Sequence, residues 1–122
     1  MNFEVYLKSG WLKRHQTAPD EIQRLLAIAD RDLAQCKVAD LAPEWQFDIS
    51  YNAALSLATA VLAASGYEAE RQNKHQRTTE CLAFAVKELT AKDGAFFDAC
   101  RRKRHVSVYD QLGPFRKRKP RR

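Results

Sequence analysis

Apolar residues recur at helical spacing through most of this chain. In TAPDEIQRLLAIADRDLAQCK, from residue 17, Ile22, Leu25, Leu26, Ala29, Leu33 and Cys36 follow the i, i+3, i+4, i+7 rule. Arg24, Asp30, Arg31 and Lys37 fall on the other side. The pattern predicts an amphipathic helix of about five turns. Thr17 is its expected N-cap, with Pro19 in the first turn and Asp20 and Glu21 at the positive end. A second helix is expected over roughly 43–65, with Pro43 in its first turn and Gly66 as the residue that stops it. From Ala53 to Gly66 it carries no charge, so it is apolar on most faces and reads as the central helix. Asp48 and Asn52, one turn apart, are the polar positions of its early half.

The polar linker GYEAERQNK leads to a third helix, about 75–91, with Cys81, Leu82, Ala85, Val86 and Leu89 as its buried stripe. KDG at 92–94 reads as a turn. A fourth helix follows from Ala95 to Val108 or Tyr109. Residues 1–16 read either as a short helix or as an irregular arm that packs Trp11 and Leu12 on the body. No segment of useful length alternates with the period of a strand. The expected class is all-α: an up-and-down bundle of four antiparallel helices over residues 1–113. A basic tail, 114–122, is expected to be disordered, because like charges repel and Pro120 stops regular structure.

Length and composition fit this picture. A chain of 122 residues with 45% apolar residues supports one domain with a single core. No run approaches the ~20 apolar residues of a membrane helix, and the charged N-terminus lacks the apolar segment of a signal peptide. The expectation is a soluble, cytoplasmic protein with no membrane partner. Cys36, Cys81 and Cys100 have no C-x-x-C spacing, which argues against a disulfide framework and a zinc site; each reads as a small buried hydrophobe. His15, His75 and His105 stand apart, and the four glycines make no phosphate loop. No metal or cofactor is expected, and His75, near a helix start, reads as a capping or hydrogen-bonding residue.

Charge changes the picture more. The net charge is +6, but residues 1–100 hold 11 Lys/Arg against 14 Asp/Glu, and residues 101–122 hold ten Lys/Arg against one Asp. The basic character is local, as a phosphate-binding footprint would be. A helical wheel over RRKRHVSVYD, residues 101–110, puts Asp98, Arg101, Arg102, His105 and Tyr109 on one stripe. Phe96, Phe97, Cys100 and Val108 lie opposite, and Arg104 falls among them. A guanidinium facing a core needs a carboxylate or must reach the edge. Asp48 is the candidate partner, and a structural ion pair and a site facing an inter-subunit cleft both fit. The candidate nucleic-acid contacts are Arg101, Arg102, Lys103, Arg116, Lys117, Arg118 and Lys119.

Several segments together resemble the bacterial branch of the HEPN domain (higher eukaryotes and prokaryotes nucleotide-binding domain). They are SGWLKR, DEIQRLLAIADRDL, FDISYNAALSLATAVLAASGYEA, KHQRTTECL and RRKRHVSVYD, spanning about residues 5–113. The resemblance implies a helical bundle, often a homodimer. It also implies a nucleotidyltransferase-fold partner in toxin–antitoxin or stress systems, and RNA as the substrate of active members. Those members are metal-independent ribonucleases using an Arg, a following polar residue and a His. Arg104 takes the arginine position, His105 the polar position, and Tyr109 stands where the histidine belongs. Tyrosine titrates near 10, not near neutrality, so the general base of the family is missing there. The chain also has GPFRKRKPRR where the resemblance implies a final amphipathic helix, and self-association would cover the face so exposed. Three functions follow. The first is a non-catalytic, dimeric binding module for nucleic acid or a nucleotidyltransferase-type partner. The second is a ribonuclease using Arg104, His105 and Tyr109. The third is a structural interaction subunit with a solvated tail.

Overall fold

Residues 2–38, 40–90 and 92–104 are described by the structure, a computed structural model. The chain is mostly helical, and a small two-stranded sheet joins its N-terminal segment to its middle. In order the elements are α1 (Phe3–Lys8), β1 (Leu12–Arg14), α2 (Glu21–Cys36), α3 (Pro43–Ala64), β2 (Tyr67–Ala69) and α4 (Lys74–Ala85). The last helix among the described residues, α5, is seen over 92–104.

α3 is central, as its composition predicts. It packs on α2 and α4, and Tyr51, Ala53, Ala58, Ala60, Leu62 and Ala63 are buried on it. Its small side chains leave room for neighbours on several sides. Pro43 opens it and Gly66 stops it at φ +86°, a left-handed conformation that glycine adopts without a Cβ clash. By length and composition α3 also meets the requirement for a membrane span, contrary to the expectation that no run does.

α2 begins two residues later than Pro19 suggests. Thr17 does not cap it; its hydroxyl donates to the Ala63 carbonyl near the end of α3. Glu21 does the local work instead. Its carboxylate accepts from the Ala18 N–H at 3.1 Å and from His15 Nε2 at 2.7 Å. Those bonds hold its pKa below the usual carboxylate range. The buried face of α2 is also rotated. Ala29 and Asp32 are buried, whereas Leu26 and Leu33, read as core, are exposed. Asp32 can occupy a core position because Asn52 of α3 donates to it at 3.1 Å and Arg31 at 3.1 Å. A hydrogen-bonded carboxylate replaces an apolar contact there.

The N-terminal segment is structured in a way that periodicity does not anticipate. α1 is capped by Asn2, and β1 pairs antiparallel with β2, Leu12 opposite Ala69 and Arg14 opposite Tyr67. These two three-residue strands correct the expectation of no strands. They are invisible in the sequence because a period of two needs at least four residues to show. Tyr6, Leu12, Leu62, Ala69 and Cys81 form one buried cluster, flanked by Phe3, Trp11, Tyr67 and Phe84.

The ends of α4 and α5 also differ from expectation. α4 stops at Ala85, so Val86 and Leu89 lie beyond it, in the connection. KDG is not a turn but part of the first turn of α5. Thr90 and Asp93 cap that helix reciprocally: the Thr90 N–H donates to Asp93 at 3.0 Å, and the Asp93 N–H to the Thr90 hydroxyl at 3.2 Å. That is a capping box, and T-A-K-D carries its spacing. Of the cysteines only Cys81 is fully buried, and burial pushes its thiol up to about 12. Cys36 and Cys100 are half-buried, and the Cys36 sulfur lies 3.1 Å from the Ser50 hydroxyl.

Candidate functional site

Where α3, the β2–α4 connection, the start of α4 and residues 101–104 of α5 meet, they line an open cleft of about 600 Å³. Its charged lining comes from two places far apart in sequence. Arg71, Lys74 and His75 come from the connection and α4; Arg101 and Arg104 come from α5; Tyr51 of α3 forms the wall.

The connection is folded by Glu70. Its carboxylate accepts the N–H groups of Gln72 at 2.9 Å and Asn73 at 3.0 Å, and its own N–H donates to the Trp11 carbonyl at 2.9 Å. The Glu70 charge is thus directed to the backbone at the base of the loop, and Arg71 and Lys74 project exposed beyond it. α4 then starts at the cleft without a side-chain cap and without an acidic residue in its first turn. Its first N–H groups have no acceptor within the helix, and the helix dipole puts partial positive charge there. α4 is anchored by Glu80, which accepts from Tyr6 at 3.2 Å and Arg77 at 3.1 Å. Arg77 in turn lies 3.8 Å over the Trp11 ring.

α5 supplies the opposite side. Arg104 falls on the inner face, as the wheel requires, but it does not pair with Asp48. Its guanidinium lies 5.3 Å from the centre of the Tyr51 ring. Arg104 Nε and Asp48 Oδ1 are each buried and without a hydrogen-bond partner among the described residues. A wheel drawn on α5 alone has no way to show Tyr51, which takes the place expected for a carboxylate. Arg101, predicted to be on the solvent stripe, is half-buried at the cleft and bonds Asp98 at 2.9 Å. Asp98 also meets Arg102 at 3.5 Å, and Arg102 is exposed, as predicted. Lys103 points elsewhere, 5.0 Å from the Phe47 ring. Of the predicted contacts the structure therefore places Arg101 at the cleft and leaves Arg102 and Lys103 outside, and it brings Arg101 together with Arg104, the arginine of the predicted catalytic set. His105, Tyr109, Arg116, Lys117, Arg118 and Lys119 lie outside the described residues.

The electrostatics of the cleft are one-sided. Among the described residues no carboxylate lies within ion-pair distance of Arg71, Lys74 or Arg104. Tyr51 is 4% exposed, and its hydroxyl has no hydrogen-bond partner among the described residues. Burial pushes its pKa up, against the pull of Arg104 and Arg101, so the hydroxyl keeps its proton at neutral pH and is a donor. Loss of solvation at the cleft pushes the His75 pKa down, and the charges of Arg104, Lys74 and Arg101 push it the same way, so its imidazole is neutral at pH 7. Guanidinium groups, an ammonium, a phenol and the open end of a helix all present donors. The arrangement is built to accept an anion.

Sequence reasoning missed Tyr51, Arg71 and Lys74. Only Asn73 before an amphipathic run, with no acid after it, signalled a helix start open to an anion. No group of His, Cys, Asp and Glu among the described residues is arranged to hold a metal ion. No match to this chain is found among protein-family models, curated proteins or solved structures.

Proposed function

We propose that this chain is a cytoplasmic, HEPN-like helical binding module that engages nucleic acid through the cationic cleft, without catalysis of its own. The single observation that carries the reading is the cleft lined by Arg71, Lys74, Arg101 and Arg104, with the buried Tyr51 hydroxyl unpartnered in its wall. Phosphate is the anion that such a donor set suits best. The resemblance to the nucleotidyltransferase-associated HEPN bundle adds toxin–antitoxin or stress systems as the context. A nucleotidyltransferase-fold protein would be the partner.

The test is a titration of fluorescent single-stranded RNA at several salt concentrations. Affinity should fall with salt at a log–log slope of about −0.7 for each phosphate neutralised. Removing 114–122 should flatten the slope and leave binding in place, because the cleft lies within the folded body. The same RNA should stay uncut in EDTA, since Tyr109 stands at the histidine position of the resemblance. One observation favours the ribonuclease reading: His75, neutral at pH 7, faces the cleft beside Arg101 and Arg104 and could accept a proton. Cleavage that disappears in His75→Ala would establish it.

The reading includes a homodimer. An apolar groove of about 480 Å³ runs between α3, α4 and α5, lined by Phe47, Leu57, Val61, Leu82, Phe96 and Phe97. Phe96 is 72% exposed at its edge. An apolar side chain that open, beside an apolar groove, supports association. Phe96→Glu should convert a dimer into a monomer in sedimentation equilibrium. A monomer already in the unaltered protein removes the dimer from the proposal.

A further inference from the structure

The cationic cleft has the dimensions and charge of a site for one compact anion, not of a track for a strand. Apart from Arg71, Lys74, Arg101 and Arg104, residues 2–104 carry 11 Lys/Arg and 14 Asp/Glu. The body outside the cleft is therefore net acidic, and an extended phosphodiester chain would meet repulsion on leaving it. Inside, three of the four cations have no carboxylate partner among the described residues, and the fourth, Arg101, shares Asp98 with Arg102. The volume of about 600 Å³ lies in the range of small-molecule sites. Two further donors converge there. The N-terminus of α4, a twelve-residue helix, opens into the cleft uncapped. The Tyr51 hydroxyl is buried in the wall with no partner among the described residues.

This charge distribution selects between two kinds of phosphate. An internal phosphodiester carries one negative charge and has two oxygens to offer. A phosphate monoester carries about −1.5 to −2 near pH 7 and offers three strong acceptor oxygens. A dianion uses more of a concentrated cation cluster than a monoanion does, and it needs no basic path on either side.

We infer that the cleft is a site for a phosphate monoester: a phosphorylated strand end or a free mononucleotide, in preference to internal phosphodiesters. The inference rests on the phosphate-binding reading of the same cleft and sharpens it. Arg71, Lys74 and Arg104 supply the charge, the α4 N–H groups and Tyr51 supply directed hydrogen bonds, and Arg101 is held in place by Asp98.

The experiment compares one short RNA with a 5′-phosphate, a 3′-phosphate or hydroxyls at both ends, by competition against the labelled strand at fixed salt. A nucleoside 5′-monophosphate is the fourth competitor. At least one phosphorylated end should compete about tenfold better than the hydroxyl-ended strand, as an extra charge among partly exposed cations warrants. Arg71→Ala with Lys74→Ala, both exposed and outside the ion pairs of the described residues, should reduce that preference to below about twofold while the melting curve holds. A mononucleotide that competes as well as the phosphorylated strand supports the monoester site and assigns it to free nucleotide. One that competes far less well supports the site and assigns it to strand ends. Equal competition by phosphorylated and hydroxyl-ended strands overturns the inference and leaves nucleic-acid binding standing. Failure of every strand and nucleotide to bind in low salt removes both.

Discussion

Reversing the charge at Arg101 and Arg104 together, as Arg101→Glu with Arg104→Glu, should weaken binding of single-stranded RNA about a hundredfold in low salt. A hydrogen bond to a charged group contributes about 1.5–3 kcal/mol. Two such bonds amount to about 3–6 kcal/mol. The low end applies, because Asp98 already neutralises part of the Arg101 charge and occupies one of its donors. The salt slope should fall by about 0.7, the one phosphate that the cleft holds. Arg102→Glu with Lys103→Glu is the control. It changes the net charge by the same amount on the same helix, but both residues are exposed and neither lines the cleft. It should cost less than about fivefold, as distant screened charges do. Fluorescence anisotropy across a salt series reads both pairs. Equal losses would mean that overall charge, not the cleft, attracts the ligand.

Tyr51 should separate stability from binding. Tyr51→Ala removes a buried ring that packs edge-on against Phe97 at 5.7 Å and under Arg104, and should cost about 3–5 kcal/mol in urea denaturation. Tyr51→Phe keeps the ring and deletes only the hydroxyl. A buried donor without a partner costs about 1–3 kcal/mol, so this variant should be as stable as the original protein or more so, by about 1 kcal/mol. It should nevertheless bind phosphate ligands about three- to tenfold more weakly, the share of one neutral hydrogen bond. A loss of stability in Tyr51→Phe would show that the hydroxyl has a structural partner and is not reserved for a ligand.

Periodicity locates α2 and α3 well, because both run long enough for a 3.6-residue repeat to show. Pro43 and Gly66 bracket α3 in sequence and in space. It fails where tertiary contacts decide. Leu26 and Leu33 belong to the apolar stripe of α2 by spacing, yet Asp32 is buried in their stead because Asn52 waits on the facing helix. No local signal in α2 announces Asn52. At the site, the wheel places Arg104 inward from α5 alone. Tyr51 lies 53 positions earlier, and the Arg71 and Lys74 cations come from a stretch that reads as a polar linker. A cleft made by three separate segments has no sequence period, so only its α5 side is legible. The capping box at Thr90 and Asp93 is different: its spacing is in plain view, hidden by the turn-like look of KDG.

The short ladder between β1 and β2 has a consequence for how the protein is made. Leu12 pairs with Ala69, 57 positions later, and the connection bearing Arg71, which leads into α4 at Lys74, hangs from that pairing. Chains are synthesised at about 5–20 residues per second. Leu12 therefore leaves the ribosome about 3–11 s before the strand that pairs with it, and Tyr6 and Trp11 wait longer still for the helix that buries them. During that interval the nascent segment has its aromatic side uncovered, while α2 and α3, close in sequence, can already assemble. Variants in the N-terminal arm should therefore surface first as poor yield in the cell rather than as weak ligand binding.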